Sequence, residues 1–341
     1  MTPLLARRSF LAAAASGIAA LSIPGPAWAE DEFAFVDPEL RAVARMMQRV
    51  ASGKVGYVPP ANIPLPPGVV ERLVPARGKT PPVTVFVIGA EPAPAAATRP
   101  AILHIHGGGF IAGTARTDLR SLKGLSDRLG CVIVSVEYRL APATAFPGSL
   151  EDNYAALHWL HDEAPRLGVD PRRIALLGES AGGGHAAILA IAARDRGEVP
   201  VRFQALVYPM LDDRTGSSRP VPQNHGTLVW TPADNRKGWA GLLGQPAGLA
   251  HVPAGSVPAR VASLAGLPAT FIGVGGIDLF VDEDIEYARR LTDAGVPTEL
   301  LVVPGAFHGF QLFAPQASAS VRFKAALENA LARALAPMET W

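Results

Sequence analysis

The sequence predicts an α/β fold with a mostly parallel central sheet, helices on both faces and a helical cap. From residue 69 onward, short apolar runs alternate with helical patterns. Strands separated by helices favour parallel pairing, because the chain must cross a face of the sheet before the next parallel strand can begin. At 49% hydrophobic and 18% charged residues, the chain also has enough apolar side chains for a large core.

The strands are predicted where short apolar runs lie between turn-forming residues. In chain order, they are expected at Val69–Val74, Val83–Ile88, Ala101–Ile105, Val132–Val136, Ile174–Leu177, Ala205–Tyr208, Thr270–Val274 and Leu300–Val303. The helices are predicted from apolar residues that recur at helical spacing. They are expected at Pro38–Val50, Asp118–Leu129, Leu150–Leu160, Ala181–Ala193, Asp282–Ala294 and Ser320–Leu335.

Two segments depart from this alternation and are the candidates for the cap. Residues 30–68 contain the first helix and a Pro-rich stretch from Pro59 to Pro67, and are expected to form an N-terminal cap segment. The stretch at about 211–250 is rich in Pro, Gly and Asn, and reads as an insertion in a catalytic domain spanning residues 69–341. Together they are expected to cover the carboxyl ends of the strands, where open α/β sheets bind ligands.

Residues 1–29 are predicted to be an export signal of the twin-arginine type. Arg7-Arg8 precede an Ala-rich apolar stretch, and Ala27-Trp28-Ala29 fits the small-x-small pattern of a cleavage site. The apolar stretch is short for a permanent membrane span. We therefore expect the export machinery as a partner and a periplasmic or secreted location. The alternative is an N-terminal helix of the mature fold.

Charge and cysteine content argue against several classes of function. Thirty-one basic and 30 acidic residues, with no long basic run, argue against nucleic-acid binding. The single cysteine, Cys131, begins an apolar run and is expected to pack in the core rather than to act as a thiolate. No His-Glu-x-x-His or comparable ligand cluster is present, so neither a metal nor a cofactor is expected. The oligomeric state, monomer or dimer, stays open.

Gly178-Glu179-Ser180-Ala181-Gly182 fits the pattern G-x-S-x-G between a predicted strand and a predicted helix. In that setting, a very tight turn exposes the serine hydroxyl at the edge of the sheet, and the flanking glycines permit the turn. Ser180 is therefore the candidate nucleophile.

A second glycine motif, His106-Gly107-Gly108-Gly109-Phe110, directly follows the predicted strand Ala101–Ile105. Three consecutive glycines expose backbone N–H groups, which together with the N–H of Ala181 can stabilise the negative oxygen of a tetrahedral intermediate. The motif therefore predicts an oxyanion hole, and the alternative is a merely flexible glycine loop.

A serine nucleophile needs a general base, and eight histidines are candidates. His308 differs from the others, because it follows the last predicted strand through Pro304-Gly305 and lies downstream of all the sheet strands. The chain order Ser, acid, His favours this position. The alternative is a surface-loop histidine.

The acid that orients the base is expected at the end of the preceding strand. Asp278 follows the predicted strand Thr270–Val274 through Gly275-Gly276-Ile277. Asp282, Glu283 and Asp284 are rivals, but they fall at the start of the next predicted helix, where acidic side chains meet a favourable helix dipole. Asp278 is therefore the preferred acid.

Several motifs in this order resemble those of the hormone-sensitive-lipase-like esterases, the bacterial family IV. They are His106 to Phe110, Tyr138-Arg139-Leu140-Ala141-Pro142, Gly178 to Gly183 and His308-Gly309-Phe310. The resemblance covers roughly residues 37 to 335. It implies an α/β-hydrolase core with a helical cap, no metal or cofactor, and hydrolysis of short- to medium-chain carboxylic esters. It also implies that Gly108, Gly109 and Ala181 supply the oxyanion N–H groups, with His106 and Gly107 supporting the loop.

The sequence departs from the family pattern at two positions. Ala143 stands where family members usually have Glu, which puts a structural salt link in doubt, and Leu279 stands where they usually have Pro after the catalytic acid. The second departure weakens the assignment of Asp278, although Asp282-Glu283 falls where the family has its Asp-Glu pair.

Two alternatives to an esterase remain from the sequence. One is an amide or formamide hydrolase with the same triad, and the other is a non-catalytic protein that binds a small ligand on this fold. A pocket lined by Trp230, Trp239 or Phe110 would favour short or aromatic esters, but each side chain could equally pack in the core.

Overall fold

The computed structural model describes residues 33–51, 63–90 and 98–337 of the chain. The predicted export signal at residues 1–29 and part of the predicted N-terminal cap segment lie outside these ranges.

A single eight-stranded sheet forms the centre of the described protein, with strand order β1-β2-β4-β3-β5-β6-β7-β8. The strands are β1 Val69–Val74, β2 Val83–Ile88, β3 Arg99–Ile105, β4 Val132–Glu137, β5 Val169–Glu179, β6 Phe203–Val207, β7 Ala269–Gly275 and β8 Thr298–Val303. Strand β2 runs antiparallel to β1 and β4, and the strands from β4 to β8 pair in parallel. The predicted mostly parallel sheet is confirmed.

The helices cover both faces of the sheet. They are α1 Arg41–Ala51, α2 Leu119–Leu129, α3 Gly148–Asp162, α4 Ala164–Leu167, α5 Ala181–Arg196, α6 Pro232–Leu243, α7 Val281–Asp293, α8 Phe310–Phe313 and α9 Ser318–Ala334. Apolar residues of α3, α5 and α7 pack in one large core cluster, while those of α1, α2 and α9 pack in another. None of the helices in the described ranges is long and apolar enough to cross a membrane.

The register of the parallel strands brings their carboxyl ends together at one edge. Ile105 pairs with Gly178, and Gly275 pairs with Val303. The turns that follow β3 and β5 therefore leave the sheet side by side, as do those that follow β7 and β8. This edge carries every side chain that the sequence predicts for the site.

The predicted first helix begins differently from the expectation. Pro38–Leu40 is a 3-10 helix capped by the Asp37 side chain, and α1 starts only at Arg41. The Asp37 N–H donates to the carbonyl oxygen of Gly305 at 3.0 Å, and the Ser318 N–H donates to Glu39 at 2.7 Å. These contacts place the start of the described chain against the loop that leads to His308.

The insertion predicted at about 211–250 contains one helix, α6, which begins with a capping box between Thr231 and Asp234. A third apolar cluster joins this segment to the site. Its buried members are Phe110, Ala181, Met210, Trp239, Leu242, Leu243, Val257, Leu279 and Phe280. The insertion thus packs directly on the glycine loop and on the start of α5.

Most of the predicted strands from β3 onward are shorter than the observed ones, and one of them extends past the observed end. Strand β6 ends at Val207, and Tyr208 lies outside it with a φ of 36°. Its backbone N–H donates to the Gly273 carbonyl oxygen at 2.7 Å. A hydrophobic pattern does not show this reversal, because Tyr208 is as fully buried as the strand residues before it.

Candidate active site

Ser180 lies in the turn between β5 and α5 with φ 57° and ψ −120°, a conformation that costs a non-glycine residue free energy. Hydrogen bonds hold it there. The Ser180 N–H donates to Val207 O at 2.9 Å, and the Ser180 carbonyl oxygen accepts from the N–H groups of Gly184 and Met210, each at 3.0 Å. The surrounding backbone therefore fixes the strained turn.

The glycines around Ser180 allow close approach of the backbone. A methyl group built on Gly178 would lie 2.2 Å from Gly182 O, and one built on Gly182 would lie 2.0 Å from Ile105 O. No Cβ tolerates such distances, so the turn can pack against the end of β3 only with glycine at these positions.

His308 and Asp278 complete a line of hydrogen bonds with Ser180. His308 Nε2 lies 2.9 Å from Ser180 Oγ, and His308 Nδ1 lies 2.8 Å from Asp278 Oδ2. All three residues are buried: His308 is 6% exposed, Asp278 is 1% exposed and Ser180 is 8% exposed. The Phe280 N–H donates to Asp278 Oδ1 at 3.0 Å, which fixes the carboxylate. The structure thus brings together the three side chains chosen from the sequence.

Two aromatic rings flank the His308 imidazole, and sequence reasoning did not find them. The Tyr208 ring meets it edge-on at 4.6 Å between centroids, and the Phe280 ring does so at 5.3 Å. Gln311 Nε2 donates to the Tyr208 hydroxyl at 2.5 Å. These contacts restrict the orientation of the imidazole. No local pattern could reveal them, because Tyr208 lies 100 residues before His308 in the numbering.

The loop His106 to Phe110 lies directly against Ser180. A methyl group built on Gly107 would lie 3.5 Å from Ser180 Cβ, and Gly108 and Gly109 adopt φ values of 125° and 61°. A methyl group on Gly108 would lie 2.0 Å from Ala112 O. Ala181 is the first residue of α5, where N–H groups lack acceptors within the helix. The glycine loop and the start of α5 therefore both adjoin Ser180.

Buried aromatic side chains support this loop from below. The His106 ring stacks on Tyr138 at 4.2 Å, and His106 Nδ1 lies 2.7 Å from Gly107 O. The Tyr138 hydroxyl donates to His106 O at 3.0 Å. Burial lowers the pKa of His106 to about 4, and it lowers the pKa of neighbouring His185 to about 3. Both histidines are therefore neutral at pH 7.

A contact between buried His104 and partly buried Glu179 lies behind the candidate nucleophile. His104 Nε2 is 2.9 Å from Glu179 Oε2, and His104 Nδ1 is 2.8 Å from Ser135 Oγ. Burial lowers the pKa of His104, but the Glu179 carboxylate more than offsets this, so the net shift is upward from 6.5. Because Glu179 precedes Ser180, the pair ties the turn to β3 and β4.

Asp282, Glu283 and Asp284 lie in the first turn of α7, as expected; Glu283 and Asp284 are buried there, whereas Asp282 is exposed. Glu283 Oε1 accepts from the N–H groups of Leu211 and Asp212 at 2.7 and 3.1 Å. Burial raises the pKa of both buried carboxyl groups well above the ordinary value. Glu283 thus ties α7 to the start of the insertion. Of the four acidic residues considered for the triad, Asp278 is the one that contacts His308.

The three aromatic residues proposed to line a pocket differ in how far they are buried. Trp239 and Phe110 are fully buried and meet edge-on at 4.9 Å, whereas Trp230 keeps a partly exposed surface.

Cys131 is buried, and this raises the pKa of its thiol to about 12. Where the family pattern has Glu and this chain has Ala143, Arg139 pairs instead with buried Asp152 at 2.7 Å. Within the described ranges, no group of His, Cys, Asp and Glu could hold a metal ion.

Comparisons with known proteins agree with this geometry. A profile of the α/β-hydrolase fold family matches residues 102–312, more than half of the chain. Esterase LipI of Mycobacterium tuberculosis is 36% identical over 219 residues, covering 64% of this chain and 67% of LipI. Ethyl acetate hydrolase of Pseudomonas putida is 33% identical over 218 residues, covering 62% of this chain and 65% of that enzyme.

Solved structures give the same result. Bacterial heroin esterase superimposes with a TM-score of 0.77 at 35% identity, covering 89% of this chain and 99% of that chain. The fold and the family expected from the sequence motifs are both confirmed. The chain belongs to the α/β-hydrolase fold family, in its hormone-sensitive-lipase-like branch, and is a carboxylic ester hydrolase.

Proposed function

We propose that the protein hydrolyses short- to medium-chain carboxylic esters through an acyl-enzyme on Ser180. The observation that carries the proposal is the continuous line from Ser180 Oγ to His308 Nε2 at 2.9 Å and from His308 Nδ1 to Asp278 Oδ2 at 2.8 Å. This spacing matches a nucleophile, a general base and an orienting acid, each within hydrogen-bond distance of the next.

In the first step, Ser180 Oγ attacks the ester carbonyl carbon while His308 Nε2 takes the hydroxyl proton. Asp278 accepts a hydrogen bond from His308 Nδ1–H and stabilises the imidazolium. The tetrahedral intermediate collapses, the bond to the alcohol oxygen breaks, and His308 gives its proton to the leaving alcohol. Ser180 then carries the acyl group as an ester.

In the second step, His308 removes a proton from water, which attacks the acyl carbon. The bond to Ser180 Oγ then breaks, His308 returns the proton to that oxygen, and the carboxylic acid is released. In both steps, the carbonyl oxygen becomes negative. We assign its stabilisation to the N–H groups of Gly108 and Gly109, in the loop that lies against Ser180, and of Ala181, which follows Ser180 in the chain. Such donors, fixed before the reaction, are each worth about 10²–10³ in turnover.

The acyl-chain range is supported by one relative. Ethyl acetate hydrolase is named for the ester of a two-carbon acid, and it is 33% identical to this chain. We extend that preference for a short acyl group to this protein.

The test is hydrolysis of nitrophenyl esters from acetate to laurate by the full chain. Replacing Ser180 with Ala should lower kcat by at least about 10⁴-fold, since no other group supplies the attacking oxygen. The control, Ser263→Ala, removes a hydroxyl from an exposed loop and should keep wild-type turnover.

A matched nitroanilide series distinguishes the amide-hydrolase alternative. Faster turnover of the anilides than of the esters would replace the esterase assignment with an amidase. Ester hydrolysis that survives Ser180→Ala would contradict the proposed nucleophile.

A further inference from the structure

The Trp230 side chain lies directly on the glycine loop beside Ser180. A methyl group built on Gly109 would lie 2.1 Å from Trp230 Cη2 and 2.7 Å from Cζ2. A methyl group on Gly238 of α6 would lie 2.5 Å from Gly109 O and 3.5 Å from Trp230 Cζ2. The indole is therefore in van der Waals contact with the main chain that carries the Gly109 N–H.

The backbone before Trp230 is strained in a way that sets its position. Val229 has a φ of 67°, and a β-branched side chain is a rare outlier in that region. The Trp230 N–H donates to Leu228 O at 2.8 Å, and Leu228 is buried. Thr231 follows directly as the N-cap of α6. Trp230 is thus held between a buried anchor and the start of a helix.

The indole nitrogen is also held. Trp230 Nε1–H donates to Asn235 Oδ1 at 3.4 Å, and Asn235 Nδ2 donates to Thr215 O at 2.8 Å. Asn235 is fully buried, so its orientation is fixed by the protein. The ring therefore presents one defined surface. Part of that surface stays accessible, in contrast to buried Trp239 and Phe110.

The two groups attached to the reacting carbonyl carbon have different neighbours. The alcohol oxygen must lie close to His308 Nε2, because that nitrogen protonates it. The aromatic rings beside His308 are those of Tyr208 and Phe280. Trp230 instead contacts Gly109, on the side of the carbonyl oxygen. In this assignment, the alcohol leaves on the side of His308, and the group that extends away from His308 toward Trp230 is the acyl chain.

We propose that Trp230 is the residue that limits acyl-chain length, closing the acyl side of the pocket so that esters of short or compact acids are preferred. The assignment rests on the proposed function, because it takes Ser180 as the acylated residue. The indole is held against Gly109 and by the hydrogen bond to Asn235, so the further methylenes of a longer acyl chain would have to displace it.

The test compares kcat/KM for nitrophenyl acetate and nitrophenyl decanoate in wild type, Trp230→Ala and Trp230→Leu. Trp230→Ala should raise the decanoate-to-acetate ratio by about tenfold or more, because several methylenes gain an apolar site. Trp230→Leu keeps an apolar contact with Gly109 and should give an intermediate ratio. This second variant keeps the test valid if the alanine variant does not fold.

Trp159→Ala is the matched control, since it removes an indole from α3 and should leave the ratio unchanged. An equal loss of turnover at all chain lengths in the Trp230 variants would overturn the proposal and leave Trp230 as packing for the glycine loop. A changed preference among alcohols at a constant acetyl group, with an unchanged acyl ratio, would also overturn it. Absence of any Ser180-dependent ester hydrolysis in folded wild type would instead refute the proposed function itself.

Discussion

Gly109 has two constraints at one position, and each excludes a side chain. Its φ of 61° is unfavourable for residues with a Cβ, and the Trp230 indole occupies the place where that Cβ would lie. Ser180 is the opposite case, because it keeps a side chain at φ 57° and is held there by neighbouring hydrogen bonds. At both residues, a backbone conformation that L side chains rarely adopt coincides with a group assigned to the chemistry.

Replacing Gly109 with Ala should lower kcat by about 10²–10³-fold, because the loop must shift and one oxyanion N–H moves out of place. Steady-state kinetics on nitrophenyl acetate measures this. The control is Gly130→Ala, which has φ 59° but open space around the added methyl group. It should cost about 1 kcal/mol of stability and leave kcat unchanged. A Gly109→Ala enzyme with wild-type kcat would refute the assignment of this N–H.

At the scale of elements, the start of α5 is pressed against the end of β3 and against the segment that follows β6. Methyl groups built on Gly182 and Gly184 would lie 2.0 Å from Ile105 O and 2.2 Å from Met210 O. Helix interiors normally favour Ala over Gly. Here, contact between a helix and the ends of strands reverses that preference, and the close packing positions Ser180.

Gly182→Ala should therefore destabilise the protein by about 3 kcal/mol, since backbone atoms cannot yield as a side chain can. Gly124→Ala in α2 is the matched control, because its added methyl group would meet only the end of the flexible Arg128 side chain. That variant should gain up to about 1 kcal/mol. Urea denaturation of both variants measures the difference, and a stabilised Gly182→Ala protein would contradict the packing argument.

At the scale of the whole molecule, burial of the histidines couples stability to pH. The pKa of His185 is lowered by burial from 6.5 to about 3. At pH values between about 3 and 6.5, His185 binds a proton in the unfolded chain but not in the folded protein. Its contribution to stability is therefore complete above pH 6.5 and is lost as the pH falls. The upward pKa shift of His104 acts in the opposite direction.

His185→Phe isolates this effect, because the ring lies among Phe110 and Tyr138 and an aromatic replacement preserves its shape. The loss of unfolding free energy between pH 8 and pH 5 should be about 2 kcal/mol smaller in the variant than in wild type. Urea denaturation at the two pH values measures it, with exposed His251→Gln as the control for removing a histidine. Parallel pH dependence in wild type and His185→Phe would contradict a buried, neutral His185.

Sequence pattern alone determined the strand order along the chain, the parallel sheet and the positions of Ser180, Asp278 and His308. These follow from local signals: apolar runs, glycines at a tight turn, and polar residues just after strands. The predicted bounds of β1 and β2 are those of the structure. Local signals suffice here because hydrophobic periodicity and backbone sterics are set by residues that are close together in the chain.

Only the tertiary structure decided which distant residues meet. It placed Trp230 on Gly109, set Tyr208 and Phe280 around His308, and buried Glu283 against the backbone at the start of the insertion. Each of these contacts joins segments that lie far apart in the chain or depends on what packs over an element. The physical reason is that burial of a side chain depends on the whole packed core, and a single sequence records only neighbours along the chain.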